Sequence, residues 1–315
     1  MEKSKKWVLL ANMFDPTLLR NDIALDLAEQ LGVPYTPRHL YVDVTMDKTY
    51  LGSYLLTQPV RVGKNHVDLN LENGDFLIEC ERERVEEDTT YIITELQHIR
   101  FIVKEAESDT EEILACLRKA EEALATHELD RISEVIDVDS FVNDYILNEY
   151  LLQSDVANSS SYFFWKNGKL YAGPAWDFDL SAGNYNPGIE DYYRVFYDED
   201  GNSYRGFFVN QNYYYRMLYE CPAFVELVKA RFAAIQPIIR NIYAEGGAID
   251  QTLEACGNSF LRNFEQAGWD VSSSYAQWQY PPLETYEENV EYLRQWLKNR
   301  NEWLCEAWEI SNLSE

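Results

Sequence analysis

Apolar positions along the chain change period repeatedly, and the changes divide it into elements. Trp7 to Asn12 is a compact apolar run, which predicts a buried strand or the entry to a first helix. Asp15-Pro16 then offers an N-cap and a first-turn proline. Leu18, Leu19, Ile23, Leu27 and Leu31 follow at helical spacing until Gly32 and Pro34 end the run. His39 to Thr45 and Tyr50 to Val60 alternate apolar and polar residues, the pattern of a hairpin turning at Met46-Asp47-Lys48. Gly74 to Glu81 and Ile99 to Lys104 predict two more strands.

Asp109 to His127 is an acidic amphipathic helix opened by Asp109 or Thr110, with Ile113, Leu114, Leu117 and Leu124 inward. Asp137 to Leu152 is a second helix, its apolar stripe formed by Val138, Phe141, Val142, Tyr145, Ile146 and Tyr150. Beyond Gly183 to Ser203, a polar and Tyr-rich surface loop, the chain turns helical. The expected helices are Asn212 to Tyr219, Pro222 to Tyr243, Asp250 to Ala267 and Leu283 to Trp308, with a break at Gly246-Gly247 and an irregular stretch from Ser272 to Pro282. The order predicts an α+β protein: a small antiparallel-sheet N-terminal lobe over residues 1–135 and a mainly helical C-terminal lobe over 136–315, together one bilobal domain.

The chemistry concentrates between Asp155 and Asn184. Two aromatic runs, Tyr162 to Trp165 and Lys169 to Tyr171, flank Asn167-Gly168, a strong hairpin signal because both residues tolerate positive φ. That hairpin would return the chain so that Asp155 meets Trp176-Asp177-Phe178-Asp179. Any one of these aspartates also fits as a turn or helix cap. Three like charges gathered among aromatic residues repel, and they point instead to a bound cation or to proton chemistry. Their hard oxygen ligands suit Mg2+, Mn2+ or Ca2+ better than zinc.

Composition narrows the partners. Lys and Arg number 27 against 54 Asp and Glu, a net charge of −27, which disfavours nucleic acid; a basic protein substrate would be attracted. The same acidity also serves solubility alone. Hydrophobic residues make up 46%, enough for a folded globule. Five scattered cysteines without a Cys-x-x-Cys pair suggest neither a disulfide framework nor a zinc site. No run is long enough to span a membrane, and the N-terminal apolar run is too short for a signal-peptide core.

The stretch Gly173-Pro174-Ala175-Trp176-Asp177-Phe178-Asp179, with Asp155 before the hairpin, resembles the signature of the CotH family, the spore-coat atypical protein kinases. The likeness extends to Leu9-Leu10-Ala11-Asn12, Asp15, Leu19-Arg20-Asn21, Gly52-Ser53-Tyr54-Leu55-Leu56 and Gly74-Asp75-Phe76-Leu77-Ile78-Glu79. Relative to that family the chain lacks, upstream of Trp7, a glycine turn and basic strand that help cover the nucleotide, and so reads as N-terminally truncated. The resemblance implies an atypical protein-kinase-like fold and transfer of the γ-phosphoryl of ATP to protein serine. It implies Asp155 as the catalytic aspartate, Asp177 and Asp179 as ligands of Mg2+ or Mn2+, and Asn158 or Ser161 as a further oxygen. Arg20 and Lys104 would face the nucleotide, the lysine as a point charge on a phosphate. The family suggests a spore coat or bacterial cell surface, and a protein substrate that is basic and Ser-rich. Two other readings stay open: a non-catalytic pseudokinase or metal-stabilised binding module, and a glycosidase using paired carboxylates beside the 23 Tyr, 8 Trp and 14 Phe.

Overall fold

The computed structural model describes residues 4–81, 89–156, 159–185, 203–270 and 283–310. The N-terminal apolar run is a three-residue strand, β1 (Val8–Leu10), and only half-buried. It pairs antiparallel with β3 (Thr49–Thr57), whose other neighbour is β2 (His39–Met46). The β2–β3 turn holds Asp47 and Lys48 at φ of 49° and 70°, both left-handed, as a two-residue turn matching the strand twist requires.

A second antiparallel sheet has five strands in the order β5–β6–β4–β7–β8. They are β4 (Phe76–Cys80), β5 (Tyr91–Ile93), β6 (Arg100–Ala106), β7 (Ser161–Lys166) and β8 (Lys169–Ala172). The hairpin expected at Asn167-Gly168 is β7–β8, with φ of 51° and 82° at the turn. Because β7 pairs with β4, the sheet draws on both sides of residue 136. Alternation sends Phe76, Ile78 and Phe163 into the main core, while Leu77, Tyr162 and Phe164 build a smaller cluster with Val67, onto which Trp176 packs.

The first helix, α1 (Arg20–Leu31), begins four residues later than Asp15-Pro16 predicts. Leu18 sits at φ 63°, a left-handed conformation that no helix can contain. Asp15 still serves the helix start, since its Oδ2 accepts the Arg20 amide at 2.8 Å. Gly32 closes the helix at φ 79°. Next come α2 (Thr110–Leu124), opened by Asp109 and Glu112 in a reciprocal capping box, and the short α3 (Leu129–Val135).

The central element is α4 (Val138–Leu151), N-capped by Asp137 and packed against α1, β8 and two later helices, α6 (Pro222–Ala234) and α9 (Tyr286–Ala307). It buries every residue from Ser140 to Leu151, so its polar positions lie inside as well as the expected stripe. Burial of each Phe, Ile or Leu here is worth about 1.5–3 kcal/mol. The polar residues are paired: the Glu149 carboxylate accepts the Phe208 and Val209 amides and Arg300 of α9, with both side chains fully buried.

Between them lies α5 (Tyr213–Tyr219). The run expected as one helix from Pro222 to Tyr243 is two, α6 and α7 (Gln236–Tyr243). Pro237 removes a backbone donor and prevents α6 from continuing, while fitting the first turn of α7. Gly246-Gly247 separates α7 from α8 (Ala248–Glu265). The stretch from Ser272 to Pro282 lies outside the described residues, as does most of Gly183 to Ser203. No helix among the described residues is long and apolar enough to cross a membrane.

Asp144, inside α4, yields a pH prediction. Burial pushes its carboxyl up to about 6, against hydrogen bonds from Tyr215 and from Asn148 at 2.9 Å. A carboxyl with a raised folded value contributes stability at low pH and loses it as pH rises, here between about 4 and 6. Asp144→Asn removes that charge and keeps an oxygen for both donors. It is expected to raise stability at pH 8, by an amount on the order of 2–3 kcal/mol, with a higher thermal midpoint, and to leave both nearly unchanged at pH 4. Thermal unfolding at the two pH values checks this.

Candidate active site

Two segments converge at the C-terminal end of α4. The first is the turn that follows the helix. Leu152 takes a left-handed conformation at φ 49°, and the Gln153 amide donates back to the Asn148 carbonyl at 3.0 Å. This ends the helix and swings Asp155 out into a partly exposed turn. The second segment leaves β8 through Gly173-Pro174 and carries Trp176, Asp177, Phe178 and Asp179. Phe178 is buried in the main core and Trp176, half-buried, packs against the smaller cluster, so the two rings anchor the loop on either side of Asp177. Asp177 itself holds φ at 65°, uncommon outside glycine, and such backbone persists where its surroundings fix it.

Gln153 fastens the segments together. Its Oε1 accepts the Asp155 amide at 3.3 Å, and its Nε2 donates to the Asp177 carbonyl. Ser160, just before β7, donates its hydroxyl to Asp177 Oδ2 at 2.9 Å. Ser154 donates to the Leu180 carbonyl at 2.8 Å, and Asn184 to the carbonyls of Asp179 and Phe14 at 2.7 and 2.5 Å. None of Gln153, Ser160 or Asn184 stands in a motif that marks it from sequence. Each sits two to five residues from an aspartate of the site, the one signal that could have found them.

The N-terminal residues shared with the signature brace the same loop. Asn21 accepts the Phe178 amide at 2.7 Å and donates to Asn12 at 2.9 Å. Arg20 is fully buried. Its guanidinium pairs with Asp15 at 2.5 Å and donates to the Ser181 and Ala182 carbonyls at 3.0 and 3.3 Å. The arginine expected at the nucleotide therefore ties the start of α1 to the aspartate loop.

The carboxylates act on one another. Burial raises the Asp177 carboxyl, opposed by the Ser160 hydrogen bond. Burial also lifts Asp179, to about 8, and the charges of Asp177, Asp15 and Asp155 add to the shift. So Asp155, Asp177 and Asp179 are gathered within electrostatic reach, although their ligand atoms are not all within 4.8 Å of one another. The donor set fits a hard divalent cation: it is all oxygen, it repels itself, and the guanidinium of Arg20 is engaged by Asp15. Asn158 lies outside the described residues. Ser161 turns away and donates to the Val156 carbonyl at 3.0 Å.

Lys104 stands on the sheet. It is the extra residue of a bulge, because Leu77 pairs with Glu105 and Ile78 with Val103. The bulge re-aims it to Glu79 at 2.7 Å and over the Tyr162 ring at 5.9 Å. Burial, then Glu79 and then Asp177 raise the Tyr162 phenol. Lys104, Glu79 and Tyr162 thus form a line on the sheet face that approaches Asp177.

Among curated proteins no match is found. The family model described as CotH kinase protein matches residues 1–304, which takes in both sheets, the aspartate loop and nearly all of α9. The chain therefore belongs to the CotH kinase family.

Proposed function

We propose that the protein is a metal-dependent protein kinase that moves the γ-phosphoryl of ATP to a serine hydroxyl. The observation that carries this reading is the convergence of Asp155 and Asp177, bridged by the two ends of one Gln153 side chain. Family membership supports kinase chemistry in general; the substrate, the metal and the residue roles are our assignment.

In this reading Asp155 orients the serine hydroxyl and takes its proton as the oxygen attacks the γ-phosphorus. The bond to the β–γ bridging oxygen breaks and ADP departs. Asp177 and Asp179 would hold Mg2+ or Mn2+, with Asn158 proposed as a further oxygen. When bound, the ion neutralises charge on the phosphate oxygens. Lys104, kept extended by Glu79, offers a point charge to a phosphate. Arg20 acts as a positioning residue, because its guanidinium donors are held by Asp15 and two carbonyls. A basic, Ser-rich protein is the substrate class that suits a net charge of −27.

Mg2+ with ATP is expected to raise the melting temperature, because a ligand that binds only the folded state stabilises it, by about 2.7 kcal/mol at a hundredfold excess over Kd. Asp177→Asn is expected to abolish that shift. A thermal-shift series over nucleotides and metals tests it. A null result with every pair would instead favour a non-catalytic binding module.

A further inference from the structure

A separate group of side chains outside the aspartate loop has the composition of a metal site. Asp22 and Asp26 lie four residues apart on α1 and so share one face of the helix. His39, at the start of β2, points its Nε2 at both, 3.2 Å from Asp22 Oδ1 and 3.4 Å from Asp26 Oδ1. Among the described residues this is the one group of three His, Cys, Asp or Glu whose ligand atoms all lie within 4.8 Å of one another.

We propose that Asp22, Asp26 and His39 bind a divalent transition ion of the Zn2+ type, joining α1 to β2. The distances are the first reason. Ligands about 2.0–2.2 Å from a tetrahedral ion are separated from each other by about 3.3–3.6 Å. The spacings of 3.2 and 3.4 Å lie at or just below that range, and they are long for charge-assisted hydrogen bonds, which run about 2.7–2.9 Å.

The imidazole orientation is the second. His39 Nδ1 lies 3.3 Å from the Pro37 carbonyl, which can only accept, so Nδ1 carries a proton. Nε2 is then the ring nitrogen turned toward the two carboxylates, as in a ligating histidine held by a backbone carbonyl. Burial opposes a charged ring, but Asp22 and Asp26 raise its pKa to about 10, so an ion would take the place of the Nε2 proton. The charge balance is the third. Among the described residues no Lys or Arg comes within ion-pair distance of Asp22 or Asp26, so the imidazolium of His39 alone faces two carboxylates and one negative charge stays unbalanced, whereas Asp15 and Asp43 each have an arginine. Imidazole with two carboxylates suits a first-row transition ion better than Mg2+. The side chains of His39 and Asp22 are 8% and 12% exposed and that of Asp26 57%, which leaves an entry path and a position for water.

The site is tested by calorimetric titration of Zn2+ alone, without nucleotide, into the full chain carrying Asp177→Asn, so that the aspartate loop is crippled as a competitor. One ion per chain is expected. His39→Gln in that background should abolish this binding, and Asp26→Asn at the exposed ligand should weaken it by at least about tenfold. Co2+ should report the same stoichiometry through visible absorption. Absence of Zn2+ binding, or binding unchanged in the Asp26→Asn protein, overturns the proposal. Asp26→Asn decides the matter even if the His39 variant does not fold.

Discussion

Asp155→Asn is expected to cut phosphate transfer by about 10²–10⁴-fold while leaving the thermal shift with Mg2+ and ATP in place. The range is what a positioned proton acceptor contributes to such a step. Asparagine keeps the shape of the side chain, and two bonds that place residue 155 are made by its backbone. Its amide donates to Gln153 and its carbonyl accepts the Ser159 amide at 2.9 Å, and both survive the substitution. The change also removes one of the three charges that raise Asp179, so the metal-free fold should not weaken. Rate and melting temperature thus separate the roles. Transfer at the wild-type rate would place the proton acceptor elsewhere. Loss of both transfer and nucleotide shift would make Asp155 part of the metal or nucleotide site instead.

What could be read from sequence divides along a physical line. Features fixed by local backbone chemistry were legible. Asn167-Gly168 favours a left-handed turn and the alternation on either side of Met46-Asp47-Lys48 leaves that stretch to turn, so both hairpins fall where expected. Gly32 ends α1, and Asp109 with Glu112 opens α2. Features decided by tertiary packing were not. The α1 start shifts because Asp15 is drawn to Arg20 and Thr17 inside the fold, bending the chain at Leu18. The helix α4 reads as a one-sided stripe but is enclosed, since Asp144 gains Tyr215 and Glu149 gains Arg300 only after α5 and α9 have packed. The turn carrying Asp155 and the loop carrying Asp177 are adjacent for a reason the hairpin supplies. The residue that holds them, Gln153, is an ordinary glutamine until both segments are in place. Lys104 is visible as the end of a strand, but its direction depends on a bulge set by the pairing of β4 with β6.

Arg20 provides the larger test of how that site is held. Arg20→Ala is expected to destabilise the metal-free, nucleotide-free protein by about 3–5 kcal/mol, the cost of leaving one partner of a buried ion pair alone. For a chain of this size that amounts to a fall in melting temperature of roughly 4–8 °C. A nucleotide contact would behave otherwise, costing ATP affinity with little change in the free protein. The geometry favours the first outcome: both side chains of the Arg20–Asp15 pair are fully buried, and Arg20 also caps the Ser181 and Ala182 carbonyls just after Asp179. The pair should therefore show strong coupling. Removing both charges, as Asp15→Asn with Arg20→Met, is expected to cost less than the sum of the single changes, since neither variant then strands a buried charge. Phosphate transfer should fall in Arg20→Ala even below its melting range, because the carbonyls that hold the loop lose their donor. Denaturant unfolding of the four proteins, read against transfer rates at a temperature where all are folded, separates a brace from a ligand contact. Additive single-mutant costs with an unchanged free-protein stability would return Arg20 to the nucleotide.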